Sequence, residues 1–270
     1  MKTMINGVRY NVEQCGDGFP LVLLHGFTGA ASTWKPFCPI WSEHSKLLMV
    51  DLIGHGETDS PQDAERYNIL QTAHDLKNLL DESGIEKTDM LGYSMGGRAA
   101  ITFASLYPDR IRKMVLESTT PGLENQADRE ARIIQDEKLA ARIETDGLTD
   151  FINFWESIPL FRSQLNLSEE VREQIRSQRL SNDSVGLTNS LRGMGTGAQP
   201  SWWEQLENFE FETLLITGEL DEKFCKIATD MAARLPKPTH LTINGCGHAI
   251  HVEEREKFGT IVSEFLSNTY

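Results

Sequence analysis

A glycine-flanked serine at position 94 constrains this chain more than any other feature of its sequence. Residues 88–91 have strand character and residues 99–107 an apolar-faced helical pattern, and between them the chain reads Gly-Tyr-Ser-Met-Gly. A strand, a sharp turn and a helix are the context in which G-x-S-x-G indicates a nucleophile elbow. A serine in such a turn takes a strained backbone conformation, so the small residues Gly92 and Gly96 relieve contact between strand and helix. We therefore expect Ser94 to stand exposed at the tip of a strand-turn-helix unit.

Charge and composition restrict the classes of partner. The chain has 270 residues, 39 % of them apolar, and a formal net charge of −14, which argues against nucleic acid or an anionic membrane as a partner. The first residues lack the layout of a signal peptide, and no apolar run reaches the roughly 20 residues of a membrane span. The four cysteines are scattered without a C-x-x-C pair, so we expect reduced thiols in a cytoplasmic protein.

Strand and helix patterns alternate along the first part of the chain, which is the signature of a mostly parallel, doubly wound α/β sheet. Strands are predicted at residues 4–14 (one antiparallel strand near an edge), 21–24, 46–52, 88–91 and 111–118. Helices are predicted at residues 34–41, capped by Ser32 or Thr33, and at residues 69–83, ended by Gly84.

Residues 122–199 interrupt this alternation. The segment contains no strand-like run; it carries three helical periodicities and is broken at Pro159 and Gly186. Strands at 211–218 and 239–243 and helices at 224–234 and 252–266 then resume the α/β pattern. We therefore expect an α/β core made of residues 1–121 and 200–270, with a helical cap inserted at 122–199.

A serine hydroxyl needs an imidazole to accept its proton, and the imidazole needs an acid that fixes its tautomer. At an elbow, the acid and the histidine follow the serine in that order on later strand-end loops. Asp221 lies just past one predicted strand and His248 just past the next, which makes Ser94, Asp221 and His248 the predicted catalytic residues. Glu219 and Glu222 flank Asp221 and are alternative acids. The other six histidines are interpreted as structural or surface residues, with His25 organising the loop after its strand.

Negative charge that develops on a substrate oxygen needs fixed donors, usually two backbone N–H groups. Met95 follows the nucleophile at the start of a helix and supplies one donor. The His-Gly-Phe turn after the strand at 21–24 supplies the other at Phe27. Phe27 and Met95 are therefore the predicted oxyanion-hole residues.

The segments "LLHGFTG", "DLIGHGETD", "LGYSMGG", "TGELD" and "GCGH" together resemble the α/β-hydrolase superfamily. An arginine four residues after Ser94, "FWESIPLF" in the cap and "LRGMGTGAQPSWWEQL" after it are similar to 2-succinyl-6-hydroxy-2,4-cyclohexadiene-1-carboxylate (SHCHC) synthases of menaquinone biosynthesis. Those enzymes have the hydrolase fold but eliminate pyruvate from a precursor with several carboxylates, and they need no metal or organic cofactor. The resemblance implies the same reaction here, on a small polycarboxylate, in the cytoplasm, by a monomer or weak homo-oligomer.

Arg98 gives this resemblance physical support, because a guanidinium binds carboxylate in bidentate fashion and a simple esterase has little use for a cation there. The resemblance further implies substrate contacts from Tyr93, Trp155 and Arg179. In "ADREAR", both Arg129 and Arg132 are candidates, and we favour Arg132.

Two other functions fit the same motifs. One is a serine hydrolase that cleaves a small ester, thioester or C–C bond through an acyl-Ser94 intermediate. The other is a non-catalytic receptor or binding protein that has kept the fold. The first would tolerate loss of Arg98, and the second is disfavoured because all three catalytic residue types are in place.

Overall fold

The structure of the protein, a computed structural model, describes residues 1–267. Its strands are β1 (Lys2–Ile5), β2 (Val8–Cys15), β3 (Phe19–Leu24), β4 (Ser45–Val50), β5 (Thr88–Tyr93), β6 (Ile111–Glu117), β7 (Glu212–Gly218) and β8 (Pro238–Ile243). Its α-helices are α1 (Cys38–Trp41), α2 (Ile69–Glu82), α3 (Met95–Leu106), α4 (Gln126–Asp146), α5 (Leu148–Ser157), α6 (Glu169–Leu180), α7 (Ser184–Met194), α8 (Glu222–Ala232), α9 (Ile250–Glu253) and α10 (Arg255–Ser267).

The eight strands form one sheet in the order β1-β2-β4-β3-β5-β6-β7-β8. Only β1 and β2 run antiparallel to their neighbours, so the predicted mostly parallel α/β sheet is confirmed. In β3, Val22 and Leu24 enter the core cluster on one face, while Leu21 and Leu23 enter the cluster on the other. Burial on both faces explains why this strand reads as an uninterrupted apolar run.

The prediction of one strand over residues 4–14 is wrong, because the segment forms a hairpin of β1 and β2. Asn6 and Gly7 connect the strands with φ values of 49° and 80°. An Asn-Gly pair suits a two-residue turn that needs positive φ at both positions, and its twist matches that of the strands it joins.

The predicted helix at 34–41 consists of a 3₁₀ turn, Ala31–Phe37, followed by α1, and neither Ser32 nor Thr33 caps it. The Ala31 N–H instead donates to Asp51 Oδ1 at 2.5 Å. The capping acceptor thus comes from the loop after β4, which local sequence does not reveal.

Between β6 and β7 lie α4 to α7, and β-strands are absent from that part of the described chain. Gly186 does not break the segment, contrary to our expectation. It lies in the first turn of α7, where its N–H donates to the Asp183 side chain at 2.9 Å. A Cβ on Gly186 would lie 2.2 Å from the Gly54 carbonyl oxygen, so the glycine permits close approach of this helix to a core loop.

The expectation of four reduced thiols is wrong for Cys15 and Cys38, which form a disulfide. The end of β2 and the start of α1 bring their Cα atoms to 6.2 Å, within the usual range for a bridge. Cys225 and Cys246 are free. Within residues 1–267, none of the helices has the length and apolar character needed to cross a membrane.

Candidate active site

Ser94 occupies the sharp turn between β5 and α3, with φ 50° and ψ −107°. Its N–H donates to the Glu117 carbonyl at 2.9 Å, and its own carbonyl accepts from Thr119 Oγ1 at 2.7 Å. A Cβ on Gly96 would lie 2.3 Å from the Leu24 carbonyl oxygen. The tight turn therefore depends on the absence of a side chain beside the serine, and neighbouring strands fix its strained backbone.

A hydrogen-bonded chain of three side chains converges on this turn. His248 Nε2 lies 3.0 Å from Ser94 Oγ, and His248 Nδ1 lies 2.6 Å from Asp221 Oδ2. Both partners are buried, Asp221 at the start of α8 and His248 in the loop after β8. Because the carboxylate accepts a hydrogen bond from the Nδ1–H group, the lone pair of neutral His248 on Nε2 faces the serine hydroxyl.

In the described residues, neither of the alternative acids, Glu219 and Glu222, is hydrogen-bonded to His248. Glu219 Oε2 accepts from the Gly245 N–H at 3.0 Å, and Glu222 is exposed to solvent. His25 also has a separate position: its Nε2 accepts from the Leu52 N–H at 3.0 Å, which ties the loop after β3 to the loop after β4. Burial lowers the pKa of His25, so this ring is a neutral structural group.

Two backbone amides lie near Ser94, those of Phe27 and Met95. Within residues 1–267, neither N–H group donates a hydrogen bond to another protein group. Met95 begins α3, where the helix leaves its first N–H groups unpaired. Phe27 and Met95 both line the cavity that contains Ser94, so their amides are suited to an anionic oxygen there.

The cavity around Ser94 has a volume of about 170 Å³ and lies between the sheet edge and the inserted helices. One wall is apolar, and Trp155 packs edge-on against Phe27 with ring centroids 5.4 Å apart. Charged residues form another part of the lining: Arg98, Arg132, Asp136 and Lys223. Three cations against one carboxylate give this part of the lining an excess of positive charge, although the chain as a whole is acidic.

Arg98 lies one turn into α3 and is only 8 % exposed. Its Nη1 donates to the Met194 carbonyl and, at 2.8 Å, to Gln199 Oε1, and within residues 1–267 it forms no ion pair. Burial, with Arg132 nearby, lowers the pKa of Arg98 to about 9. A buried guanidinium whose partners are neutral leaves its charge available to a ligand.

A family model for the α/β-hydrolase fold matches residues 20–255. The chain belongs to the α/β-hydrolase family. Within it, the chain groups with proteins named SHCHC synthases. One from Bacillus subtilis (strain 168), provisionally so named, is 46 % identical over 98 % of this chain and 97 % of its own length. Another, from Klebsiella pneumoniae, is 33 % identical over 89 % of this chain and 91 % of its own.

Two solved structures are similar to this α/β-hydrolase chain over almost its whole length. MenH from S. aureus is 36 % identical, with a TM-score of 0.90, and the similarity covers 95 % of this chain and 97 % of that one. A thermophilic esterase from Thermogutta terrifontis, solved with malate bound, is 26 % identical, with a TM-score of 0.85 over 98 % of this chain and 97 % of that one.

The remaining arginine candidates of this α/β-hydrolase chain lie in different places. Arg132 reaches the Ser94 cavity and pairs with Asp136 at 2.8 Å. Arg129 donates instead to two nearby backbone carbonyls at 2.9 Å. Arg179 does not line the Ser94 cavity; it lines a neighbouring cavity, and Tyr93 lines both. The structure thus brings Arg98, Arg132, Tyr93 and Trp155 to the serine and leaves Arg179 one cavity away.

Sequence reasoning missed several polar residues of this α/β-hydrolase site, among them Asp136, Gln199 and Lys223. Lys223 follows Asp221 by two positions, so its proximity was readable from the predicted strand-end loop. Burial lowers the pKa of Lys223, and Arg132 contributes to the shift. Asp136 follows Arg132 by four positions on α4, the spacing of a helical ion pair. Gln199 follows the inserted helices, and its position beside Arg98 depends on how that segment packs against the core. No local sequence pattern indicates this contact.

Proposed function

We propose that this chain is a lyase that eliminates pyruvate from 2-succinyl-5-enolpyruvyl-6-hydroxy-3-cyclohexene-1-carboxylate to give SHCHC, in menaquinone biosynthesis. The names of its relatives support the reaction, and the charges around Ser94 support a substrate with several carboxylates. The proposed chemistry requires neither a metal nor an organic cofactor, because acid–base groups and fixed amide donors suffice for it.

The buried guanidinium of Arg98 is the observation that carries this proposal. It shares a cavity with Ser94, and its protein partners there are a carbonyl and an amide oxygen rather than a carboxylate. Burying a charge without a counter-ion is costly. Asp136 lies in the same cavity but does not contact Arg98 directly, so a substrate carboxylate would supply a directly bonded counter-ion, which a neutral ester would not.

In the proposed mechanism, Asp221 holds His248 in the tautomer whose Nε2 accepts the Ser94 proton. Ser94 Oγ then removes a proton from the substrate carbon next to a carbonyl group, and the Phe27 and Met95 amides stabilise the enolate oxygen. The electron pair of the broken C–H bond shifts through the ring, and the C–O bond to the enolpyruvyl group breaks. The departing enolpyruvate takes up a proton and becomes pyruvate. Ser94 is thus a base and is not acylated.

Four side chains at the Ser94 cavity are proposed to bind the substrate. Arg98 and Arg132 bind its carboxylates, Trp155 packs against the ring, and Tyr93 forms the wall beside the serine. Arg179 is proposed to act from the adjoining cavity.

Three further proposals concern the protein as a whole. We propose that residues 122–199 form a cap over a core of 1–121 and 200–270. Their own small core supports this, with Phe151, Ile152 and Leu187 among its buried residues. We also propose a cytoplasmic enzyme that is monomeric or weakly homo-oligomeric.

A direct assay tests the proposed reaction. The purified protein receives the enzymatically generated precursor, and pyruvate release is followed beside hydrolysis of a short p-nitrophenyl ester. Fast pyruvate release with negligible ester turnover is expected, and ester turnover without pyruvate release would contradict the lyase.

The relay of Ser94, His248 and Asp221 would serve an acyl-serine hydrolase equally well, so the role of the serine needs its own test. Ser94→Ala is expected to lower the rate of elimination by about 10²–10⁴-fold, the usual contribution of a positioned base. Full elimination activity in this variant would rule out Ser94 as the base. Trapping of an acyl-enzyme with the precursor would favour the hydrolase chemistry.

A further inference from the structure

The turn that carries the Phe27 N–H is fixed on one side by the α/β core. His25 Nε2 accepts from the Leu52 N–H at 3.0 Å, so Nδ1 carries the ring proton and donates to the Gly26 carbonyl at 2.7 Å. The Gly29 N–H donates to the same carbonyl at 3.0 Å. That carbonyl and the Phe27 N–H belong to one planar peptide unit and point in opposite directions. Holding the carbonyl therefore sets the direction of the N–H.

The same turn is held on its other side by the inserted segment, through Asn182. This residue lies in the short link between α6 and α7 and is 5 % exposed. Its Nδ2 donates to the Thr28 carbonyl at 2.9 Å, one residue past Phe27. Its Oδ1 accepts from the Gly56 N–H at 3.0 Å. One buried side chain of the inserted segment thus joins the loop after β3 to the loop after β4.

The contacts of Asn182 explain why an amide stands at this position. Besides the Thr28 carbonyl, Nδ2 lies 3.2 Å from the carbonyl oxygens of Gln178 and Arg179, at the end of α6. Carbonyl groups require a donor, and the Gly56 N–H requires an acceptor. A carboxamide supplies both in one planar group, whereas a carboxylate of the same shape supplies acceptors alone.

Thr28 and Phe27 both depend on the inserted segment. Thr28 is 2 % exposed and has a φ of 66°, a left-handed conformation that a β-branched residue keeps only where its surroundings hold it. The Phe27 ring packs against Trp155 and Phe151 of α5, with ring centroids 5.4 and 6.3 Å away. The inserted segment therefore holds the ring of Phe27 through α5 and the strained backbone that follows it through Asn182.

We propose that Asn182 is a positioning residue for the chemistry at Ser94. Through the Thr28 carbonyl it holds the turn so that the Phe27 N–H faces the substrate oxygen on which negative charge develops. This inference rests on the proposed role of Phe27 as an oxyanion donor. It makes the inserted segment part of the machinery that stabilises the transition state, in addition to a wall of the cavity.

Asn182→Ala tests this role through the separate effects on kcat and KM. A donor aimed at developing charge acts in the transition state, and a displacement of about 1 Å can lower a rate by about 10²-fold. We expect kcat for pyruvate release to fall by about 10–100-fold while KM stays within about twofold. A loss of stability alone would lower the amount of folded enzyme, which thermal unfolding measures, without this division between the two constants.

Asn189→Ala is the matched control. Asn189 lies on α7 of the inserted segment, is also 5 % exposed, and its Nδ2 donates to the Pro61 and Gln62 carbonyls at 3.1 Å each. The substitution removes the same kind of contact between the inserted segment and the core, at a place that does not touch the Phe27 turn. Its kcat is expected to stay within about twofold of the wild-type value.

Asn182→Asp separates the two ends of the amide. It keeps the shape of the side chain and the acceptor for the Gly56 N–H, but it replaces the donor to the Thr28 carbonyl by an oxygen. Its kcat is expected to fall as in Asn182→Ala. This variant carries the test if the alanine variant does not fold.

Phosphonylation of Ser94 by a fluorophosphonate gives a readout that does not depend on the proposed elimination. The serine oxygen bonds to phosphorus, fluoride leaves, and charge develops on the phosphoryl oxygen. The second-order rate constant, followed by mass spectrometry, is expected to be at least about tenfold lower in Asn182→Ala than in Asn189→Ala. Absence of pyruvate release by the wild type would contradict the lyase and leave this comparison intact.

Three results would overturn the role of Asn182. The first is an equal effect of Asn182→Ala and Asn189→Ala on kcat and on phosphonylation. The second is a rise in KM with kcat unchanged, which would make Asn182 a determinant of substrate binding. The third is a wild-type kcat in Asn182→Asp, since the donor to Thr28 would then be dispensable.

Discussion

Ser94 and Arg98 are joined across one helical turn: the Arg98 N–H donates to the Ser94 carbonyl at 3.1 Å, and both side chains line the same cavity. The turn that strains the serine thus also fixes where the guanidinium stands. The proposed base and the proposed carboxylate-binding group, held at one end of the same helix, keep a constant separation, as precise positioning of a charged substrate would require.

Arg98→Gln is expected to lower kcat/KM for pyruvate release by about 10–100-fold, since a hydrogen bond to a charged group contributes about 1.5–3 kcal/mol. Hydrolysis of a neutral p-nitrophenyl ester by the same variant, if measurable, should change little. Arg192→Gln is a suitable control, because Arg192 pairs with Glu137 and Glu144 and does not line the Ser94 cavity. Equal activity of wild type and Arg98→Gln on the precursor would remove the main support for a carboxylate substrate.

Gly96→Ala tests why the elbow needs a glycine at this position. The structure indicates that the reason is the close approach of β3 to α3 rather than the conformational freedom of the glycine backbone. A Cβ there would lie 2.3 Å from the Leu24 carbonyl oxygen, whereas a Cβ on Gly84 would meet open space at a φ of +65°. Gly84→Ala should lower the free energy of unfolding by about 1–2 kcal/mol, the penalty of a left-handed backbone. Gly96→Ala should lower it by more, as measured by urea unfolding. Equal losses would show that β3 and α3 separate easily.

Much of the fold could be predicted because a pattern and its cause lie within a few residues of each other. The apolar run of β3 follows from burial on both faces, and the elbow follows from Gly92 and Gly96 flanking Ser94. The hairpin at Asn6 and Gly7 has an equally local cause, because an Asn-Gly pair favours a two-residue turn, and the prediction of a single strand overlooks that pair.

What could not be predicted depends on contacts between distant segments. Asp51 caps the 3₁₀ turn at Ala31 across 20 positions, and Gln199 reaches Arg98 across 101. The separation of Arg179 from the serine depends on how α6 packs against the core. Such long-range contacts cannot be predicted from local sequence, because each of the two contacting residues, considered alone, is an ordinary polar residue.

The Cys15–Cys38 disulfide predicts a measurable loss of stability on its removal. The two cysteines are 23 positions apart, and closing a loop of that size stabilises by about 3 kcal/mol in the chain-entropy account. Cys15→Ser should therefore lower the Tm by several degrees without reductant, while Cys225→Ser should not. Thiol titration of the unfolded, unreduced protein should find Cys225 and Cys246 alone. Reaction of all four cysteines would instead support the four reduced thiols that the sequence suggested.

His55 predicts part of the acid sensitivity of the fold. Burial, together with His25 at 5.1 Å between ring centroids, lowers the pKa of His55 to about 3. At pH values above the unfolded pKa of about 6.5, the ring is neutral in both states and its contribution is intact. As the pH falls below 6.5, the unfolded chain binds a proton that the folded one does not. Stability then falls by up to about 1.4 kcal/mol per pH unit until the folded pKa is reached.

Urea unfolding between pH 7 and pH 4 measures this slope for wild type, His55→Asn and His74→Asn. His55→Asn removes the titrating ring, so its free energy of unfolding should depend less steeply on pH, even if the variant is less stable at pH 7. Exposed His74 serves as the control, and its variant should keep the wild-type slope. If the slopes of His55→Asn and wild type coincide, the acid sensitivity resides in other groups, foremost His25, whose pKa burial also lowers.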